Sequence, residues 1–230
     1  MEKINDLRKL LKHELNDLYS AETQMIEALP DMIEAATNKE LKRSLSDHLK
    51  VTQGQKTRLD KVRTILNDGK SVQKEEKGFF ANLFSSEEGE EHCKAMEGLI
   101  KEANTLLEED MTPEVMDAAI IAAAQKAEHY EISSYGTAKA YAMQLGLTEV
   151  AQLLNTTLDE EYAADDSLTV LAVGKVNLDA GADKKIPVRQ PLKASPAPVV
   201  KKPMAKKVAE SKSKTGTRTS SSVKTKKTTK

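Results

Sequence analysis

Polar residues interrupt the hydrophobic stripe near the middle of each of four long segments. Apolar side chains in these segments recur every three or four residues, which places them on one face of an α-helix. Burying an unpaired carboxylate is costly, and proteins usually avoid that cost by protonation, by pairing with a cation or by coordinating a metal. Interruptions at a similar depth in four helices therefore predict a polar site inside a bundle. They are Glu22 in the first segment, His48, Thr52 and Gln55 in the second, Glu128 and Glu131 in the third, and Glu161 and Asp165 in the fourth.

Capping and breaking residues give the limits of these helices. Asn38 is a favourable N-cap, Thr112 followed by Pro113 opens a helix, and Gly146 ends one. Pro30 lies inside the first segment and predicts a kink there. The predicted helices are 3–36, 39–66, 93–108, 113–145 and 148–173.

The connections between these helices predict the fold. Very short turns join the first helix to the second and the third long helix to the fourth, so each pair forms an antiparallel hairpin. A crossover of about 45 residues, which contains the short helix, joins the two hairpins. We therefore predict an all-α fold over residues 1–180, a ferritin-like antiparallel four-helix bundle with a long crossover. The three phenylalanines within 78–84 indicate either a loop anchored on the bundle or a dimer contact.

The charge is divided sharply along the chain. Residues 1–183 hold 20 Lys and Arg against 35 Asp and Glu, whereas residues 184–230 hold 15 against one. We predict that 181–230 is a disordered tail, because its Lys, Ser, Thr, Pro and Ala residues cannot bury enough apolar area to fold. Lysine-rich disorder without aromatic residues favours phosphate contacts over base stacking, so non-specific DNA is a candidate partner. The alternatives are the acidic bundle itself and a solubilising extension.

The cellular context follows from what the chain contains. Cys93 is the single cysteine, which fits a reducing compartment. The N-terminus has no apolar signal core, and the longest aliphatic run, 118–124, is far shorter than the roughly 20 residues that span a bilayer. We expect a cytosolic protein without membrane contact. If the basic tail binds DNA, we expect the protein to be associated with the nucleoid.

The polar layer has the donor types of an iron or manganese site, since carboxylates and imidazole suit these ions. No Glu-x-x-His sequence occurs, so the pattern is compatible with one ion or two. Thiolate-seeking ions are disfavoured because Cys93 lies outside the four segments. Tyr19, Tyr135 or Tyr162 would support the ligands. The candidate metal ligands are Glu22, His48, Glu128, Glu131, Glu161 and Asp165.

Each of these residues also has an ordinary structural explanation. His48 alone is more often a hydrogen-bonded core histidine, and Glu22 alone is more often a residue at the bundle edge. A shift of the fourth stripe by one residue would turn Glu160 inward in place of Glu161. The prediction of a site therefore rests on the coincidence between helices.

Several stretches resemble the YciF-like ferritin-like stress proteins of bacteria. The resemblance is carried by 119–136 (AIIAAAQKAEHYEISSYG), 17–22 (DLYSAE), 48–54 (HLKVTQG), 93–100 (CKAMEGLI) and 157–161 (TLDEE). It implies a rubrerythrin-related fold over about residues 3–174, a homodimer, a metal site among the inward carboxylates and a role in stress responses. It implies no settled reaction, and the basic tail departs from the family pattern.

Two hypotheses of function follow. In the first, the protein binds iron or manganese and either oxidises Fe(II) with oxygen or peroxide, or decomposes peroxide. In the second, it is a non-enzymatic DNA-associated protein, and the carboxylate layer is structural. Whether the chain is an enzyme stays open at this point.

Overall fold

The computed structural model describes residues 3–68 and 92–181, and the regular structure of this part of the chain is helical throughout. The predicted aromatic loop and basic tail lie outside the described residues. None of the described helices is long and apolar enough to cross a membrane. The helices are α1 (Leu7–Ala35), α2 (Lys39–Asp68), α3 (Lys94–Leu107), α4 (Pro113–Gln144), α5 (Thr148–Leu171) and α6 (Asn177–Ala180), with a π-helical turn at Ala172–Val176 between α5 and α6.

The predicted helices are confirmed, and their limits follow from local hydrogen bonds. Helix α1 begins later than predicted because the Asp6 side chain accepts a hydrogen bond from the Lys9 amide at 2.9 Å and caps the helix there. Asn38 caps α2 as predicted, with Oδ1 accepting from the Leu41 amide at 3.1 Å. Gly146 has φ +74° in the turn after α4, a conformation that glycine adopts without strain. The π-helical turn after α5 carries no signal in the hydrophobic pattern.

The four long helices form an antiparallel bundle. Helix α1 packs against α2 and α4, and α5 packs against α4 and α2. The first half of α1 shares one apolar cluster with the second half of α2, the second half of α4 and the first half of α5. The opposite halves share the other cluster. Contacting helices therefore run in opposite directions, and the crossover between α2 and α4 returns the chain along the bundle length. The ferritin-like arrangement is confirmed.

The two apolar clusters lie at opposite ends of the bundle and do not merge. The first is built around Leu11, Leu15, Leu18, Val62, Leu66 and Leu154. The second is built around Leu29, Leu41, Leu45, Met96, Ile120 and Ile121. Along each helix, the residues between these sets are polar and at most 1% exposed, and they are Glu22, Thr52, Gln55, Glu128, Glu131, Thr157 and Glu161. We call this set, together with His48, the polar layer.

A buried carboxylate outside the polar layer joins the two hairpins at one end of the bundle. Asp117 of α4 is 4% exposed and receives three hydrogen bonds from the turn between α1 and α2. They come from the Thr37 amide at 2.7 Å, the Thr37 hydroxyl at 2.7 Å and the Asn38 amide at 2.9 Å. Because two of these donors are backbone groups, the carboxylate holds the turn regardless of the side chains around it.

Replacing Asp117 with Ala tests this contact. The substitution leaves buried donors without an acceptor, and we expect it to lower the free energy of unfolding by about 3 kcal/mol. Urea denaturation of the variant and the parent protein measures the change. The exposed Asp110→Ala is the control and should stay within about 0.5 kcal/mol of the parent. An equal, small effect in both variants would contradict the role assigned to Asp117.

Candidate metal centre

Four side chains from three helices meet in the polar layer. His48 extends from α2, Glu128 and Glu131 from α4, and Glu161 from α5. Each offers one nitrogen or oxygen atom, and these four atoms all lie within 4.8 Å of one another. The spacing of Glu128 and Glu131, three residues apart, places both carboxylates on the same face of α4. One ion can therefore reach a donor from every one of the four residues.

Five buried donor atoms of the polar layer lack a hydrogen-bond partner. His48 Nε2 lies 3.1 Å from Glu128 Oε1 but is not aligned with it as a hydrogen bond. Buried polar atoms in folded proteins are nearly always hydrogen-bonded, so several unsatisfied atoms in one place need an explanation. The four clustered residues among them could hold a metal ion, because carboxylate and imidazole groups are metal ligands. The buried atoms without a hydrogen-bond partner here are Glu22 Oε2, His48 Nε2, Glu128 Oε2, Glu131 Oε1 and Glu161 Oε2.

Glu22 and Asp165, the other two predicted ligands, are placed differently. Glu22 is fully buried, and its Oε1 accepts a hydrogen bond from the Tyr135 hydroxyl while Oε2 stays unpartnered. Asp165 lies at the edge of the layer, with its side chain 20% exposed. Its Oδ1 accepts from Gln125 Nε2 at 2.9 Å, and its Oδ2 lies 3.3 Å from His129 Nε2. Glu22 is therefore available to an ion in the layer, whereas both oxygens of Asp165 are occupied.

Of the three tyrosines considered as supports, Tyr135 is the one placed beside a predicted ligand. It is fully buried and donates to Glu22. Tyr162 is 51% exposed. The ring of Tyr19 packs beneath Arg63, whose guanidinium carbon lies 4.6 Å from the ring centroid. A hydroxyl donor to one oxygen of Glu22 leaves the second oxygen of that carboxylate for a cation.

An ion pair beside the layer separates Glu160 from Glu161. Arg58 of α2 donates to both oxygens of Glu160, at 2.8 and 2.9 Å, and to the Thr157 hydroxyl at 2.6 Å. Gln55 Nε2 donates to Glu161 Oε1 at 2.5 Å and to Glu160 Oε2 at 3.2 Å. Arg58 thus pairs directly with Glu160, whereas the inward carboxylate of Glu161 accepts its hydrogen bond from the neutral amide of Gln55.

The hydrophobic pattern did not reveal this ion pair. Arg58 lies three residues after Gln55, on the same side of α2. This spacing was the sequence signal that could have indicated a cation beside the layer. The pattern did favour Glu161 over Glu160 as the inward residue, and the structure places Glu161 fully buried. Glu160 is 32% exposed at its side chain.

Cys93 is not among the four clustered donor residues, in agreement with the expectation that it takes no part in the ligand set. It is fully buried in the apolar cluster of α1, α3 and α4. Its backbone is bound by α1: Ser20 Oγ accepts from the Cys93 amide at 2.9 Å, and Gln24 Nε2 donates to the Cys93 carbonyl at 3.1 Å. These long-range contacts leave no periodic signal in the sequence.

Burial dominates the titration of the layer. It raises the pKa of Glu22, Glu128 and Glu131 well above the usual range, and the charge of Glu161 adds to the rise in each. Burial also raises the pKa of Glu161 to about 7. Burial lowers the pKa of His48 to about 4, so its imidazole is neutral at pH 7, as metal coordination requires. Without a metal, the carboxyl groups hold protons in its place.

These shifts predict how the stability of the metal-free protein depends on pH. A carboxyl whose pKa is raised by folding binds its proton more tightly in the folded state, so stability falls as pH rises towards the folded pKa. His48 acts in the opposite sense, but its effect is confined to pH values below about 6.5. Between pH 7 and 8 we expect the free energy of unfolding to fall by about 1.4 kcal/mol for each carboxyl that stays protonated in the folded protein.

Urea denaturation of chelator-treated protein at pH 7 and 8 measures this slope. Glu131→Gln removes one titrating group and should flatten the slope, whereas Glu27→Gln, at an exposed position of α1, should leave it unchanged. A slope that is equally steep in Glu131→Gln would contradict the protonation of Glu131.

Comparison with known proteins identifies the relatives of this chain. A family model described as a domain of unknown function, DUF892, matches residues 6–79 and 78–181. Protein YciF of Escherichia coli (strain K12) is 44% identical over 168 residues, which cover 73% of this chain and 91% of that protein.

Two solved structures are similar in both sequence and fold. The crystal structure of the E. coli stress protein YciF has a TM-score of 0.65 and 41% identity, over 76% of this chain and 99% of that one. YcfI from Rhodopseudomonas palustris has a TM-score of 0.63 and 40% identity, over 73% of this chain and 96% of that one. The resemblance predicted from sequence is confirmed, and the chain belongs to the DUF892 family as a YciF-like member.

Proposed function

We propose that this protein binds iron or manganese in the polar layer and uses the bound metal to consume oxidants. The observation that carries the proposal is the set of five unpartnered, buried donor atoms from Glu22, His48, Glu128, Glu131 and Glu161. A buried carboxylate without a partner is costly, and three helices would not place their donors within 4.8 Å of one another without a compensating charge.

The proposed ligands have distinct roles. His48, Glu128, Glu131 and Glu161 hold the ion, and Glu22 contributes its free Oε2 from the facing helix. We leave Asp165 out of the ligand set because Gln125 and His129 occupy its oxygens. The layer has donors for either one ion or two. One ion would use the four clustered atoms, and a second would use Glu22 with the remaining carboxylate oxygens.

The protein surroundings prepare the donors for this chemistry. Gln55 holds one oxygen of Glu161 and turns the other into the layer. Tyr135 does the same for Glu22. The apolar clusters above and below the layer exclude water, which strengthens every electrostatic contact between them. When bound, iron or manganese supplies electrons that reduce oxygen or peroxide.

The family relationship supports a role in stress responses. The similar E. coli structure is described as that of a stress protein. An oxidant-consuming metal protein would serve such a role, either by oxidising Fe(II) or by removing peroxide. The chemistry of the donor set and this relationship point to the same class of function.

Replacing Glu131 with Gln tests the site directly. The amide cannot supply the negative charge that a divalent ion needs, so we expect metal content after anaerobic Fe(II) or Mn(II) loading to fall at least tenfold. Elemental analysis of tag-free protein gives the stoichiometry, which should be one or two ions per chain in the parent. The matched control Glu27→Gln should retain the parent stoichiometry.

Two results would contradict the proposed metal site. The first is unchanged stoichiometry in Glu131→Gln. The second is an absence of bound metal in the parent protein under both loading conditions, which would leave the layer as a protonated structural feature.

A second function is suggested by the composition of the tail. Residues 184–230 carry 15 Lys and Arg and one acidic residue, whereas the chain before them is strongly acidic. We propose that the tail contacts DNA phosphates without sequence preference, and that the bundle acts as a homodimer. The tail would then hold a metal-handling protein beside DNA, so this function is compatible with the first.

The salt dependence of DNA binding tests the tail. If six to ten lysines contact phosphate, affinity for duplex DNA should fall by about 10³-fold or more between 50 and 200 mM salt. A truncated protein that ends at residue 181 and lacks the tail is compared with the full-length protein. The truncation keeps about the length over which the crystallised E. coli relative matches this chain. We expect it to lose the binding and the salt dependence together, as fluorescence anisotropy would record. Equal affinity in both proteins would exclude the tail as the DNA contact.

A further inference from the structure

A second polar cluster is formed by residues outside the group of clustered metal donors. It joins three elements: Asp17 of α1, Cys93 at the start of α3, and Tyr130 of α4. The Tyr130 hydroxyl donates to Asp17 Oδ2, and the Cys93 thiol lies 3.1 Å from the same oxygen and 3.0 Å from the phenol oxygen. We call this set the Asp17–Cys93–Tyr130 triad.

The triad is built as a rigid unit. Cys93 is fully buried and caps α3, with its sulfur accepting from the Met96 amide at 3.4 Å. Ser20 and Gln24 of α1 bind the Cys93 amide and carbonyl, which hold the backbone of Cys93 against α1. Two protonated donors, the thiol and the phenol, therefore converge on a single carboxylate oxygen.

The triad does not resemble a nucleophilic thiol site. Burial raises the pKa of Cys93, which disfavours the reactive thiolate, and the same cause raises the pKa of Tyr130. A phenol that is hydrogen-bonded to a carboxylate can lose an electron together with its proton, because the carboxylate accepts the proton.

The location of the triad connects it with the metal centre. Tyr130 immediately precedes Glu131, so one helix backbone positions both residues. A second phenol, Tyr135, donates to Glu22, but it is enclosed by the bundle, whereas Tyr130 is only partly buried.

We propose that Tyr130 is a one-electron donor to the metal centre, with Asp17 as the acceptor of its proton. The inference rests on the proposed metal function. Hydrogen peroxide needs two electrons and two protons to become two waters, and one ferrous ion held by the layer would supply one of the electrons. Tyr130 supplies the other. The peroxide O–O bond breaks, solvent provides its two protons, the phenol O–H bond breaks, and the phenol proton moves to Asp17 Oδ2.

Asp17 is essential to this step because an oxidised phenol is a very strong acid. A carboxylate that already accepts the hydrogen bond takes the proton without any rearrangement of side chains. Donation from a residue at the bundle periphery also lets an oxidising equivalent leave the buried layer, where it would otherwise attack the ligands.

Electron paramagnetic resonance provides the test. Full-length protein loaded anaerobically with one equivalent of Fe(II) is mixed with hydrogen peroxide and frozen within milliseconds. The parent should show a tyrosyl radical signal alongside ferric iron. Tyr130→Phe should lower the radical yield at least tenfold and leave iron content unchanged. Asp17→Asn should do the same, since an amide does not accept the proton. Tyr141→Phe, on the same helix, is the control and should match the parent.

A metal-free arm separates this inference from the proposed function. Photogenerated tris(bipyridine)ruthenium(III) removes one electron from the protein without any bound iron. Tyr130→Phe should lower the tyrosyl yield more than Tyr141→Phe does, and Asp17→Asn should also lower it. If the protein binds no iron, the proposed function and this inference fail together, whereas iron binding with equal tyrosyl yields in Tyr130→Phe and Tyr141→Phe overturns this inference alone. A radical that persists in Tyr130→Phe, or ferric iron formed in the parent with no radical, would overturn the proposal.

Discussion

The cost of burying carboxylates in the middle of a helical bundle constrains the rest of this structure. Glu22, Glu128, Glu131 and Glu161 are each at most 1% exposed, and they come from three different helices. Their mutual repulsion would separate the two hairpins unless protons or a cation neutralise them. The bundle and its polar layer therefore form one system, in which occupancy of the layer and stability of the fold change together.

The side chains around the layer do not pair its carboxylates directly with a cation in the part of the chain that the structure describes. Arg58 is engaged by Glu160 and Thr157, and the histidine in the layer is neutral at pH 7. Protons or a bound cation therefore have to neutralise the layer. This arrangement differs from a structural ion pair, in which a buried carboxylate would be matched by a buried cation.

Buried hydrogen bonds outside the layer hold the helices in the register that the layer needs. Asp117 binds the turn between α1 and α2, and Asp17 joins Cys93 and Tyr130 at the base of α3. Both carboxylates connect residues about 80 to 110 positions apart in sequence. Because the two apolar clusters are made mostly of aliphatic side chains, which pack with little directional preference, such polar contacts fix the relative positions of the hairpins.

The sequence by itself determined the helices, their antiparallel pairing and the depth of the polar layer, because these depend on local periodicity, capping and turn length. The stripe in the fourth long segment was enough to choose Glu161 over Glu160, and the Asn38 cap was predicted from residue type alone.

Only the tertiary structure decided which carboxylates lie close enough together to bind one ion. Asp165 lies on the same stripe as Glu161, yet it turns to Gln125 and His129 at the edge. The pairing of Arg58 with Glu160 and the binding of the Cys93 backbone by Ser20 and Gln24 likewise depend on contacts between distant segments. Such contacts are set by how whole helices pack, and helix packing leaves no mark on the spacing of residues within any one of them.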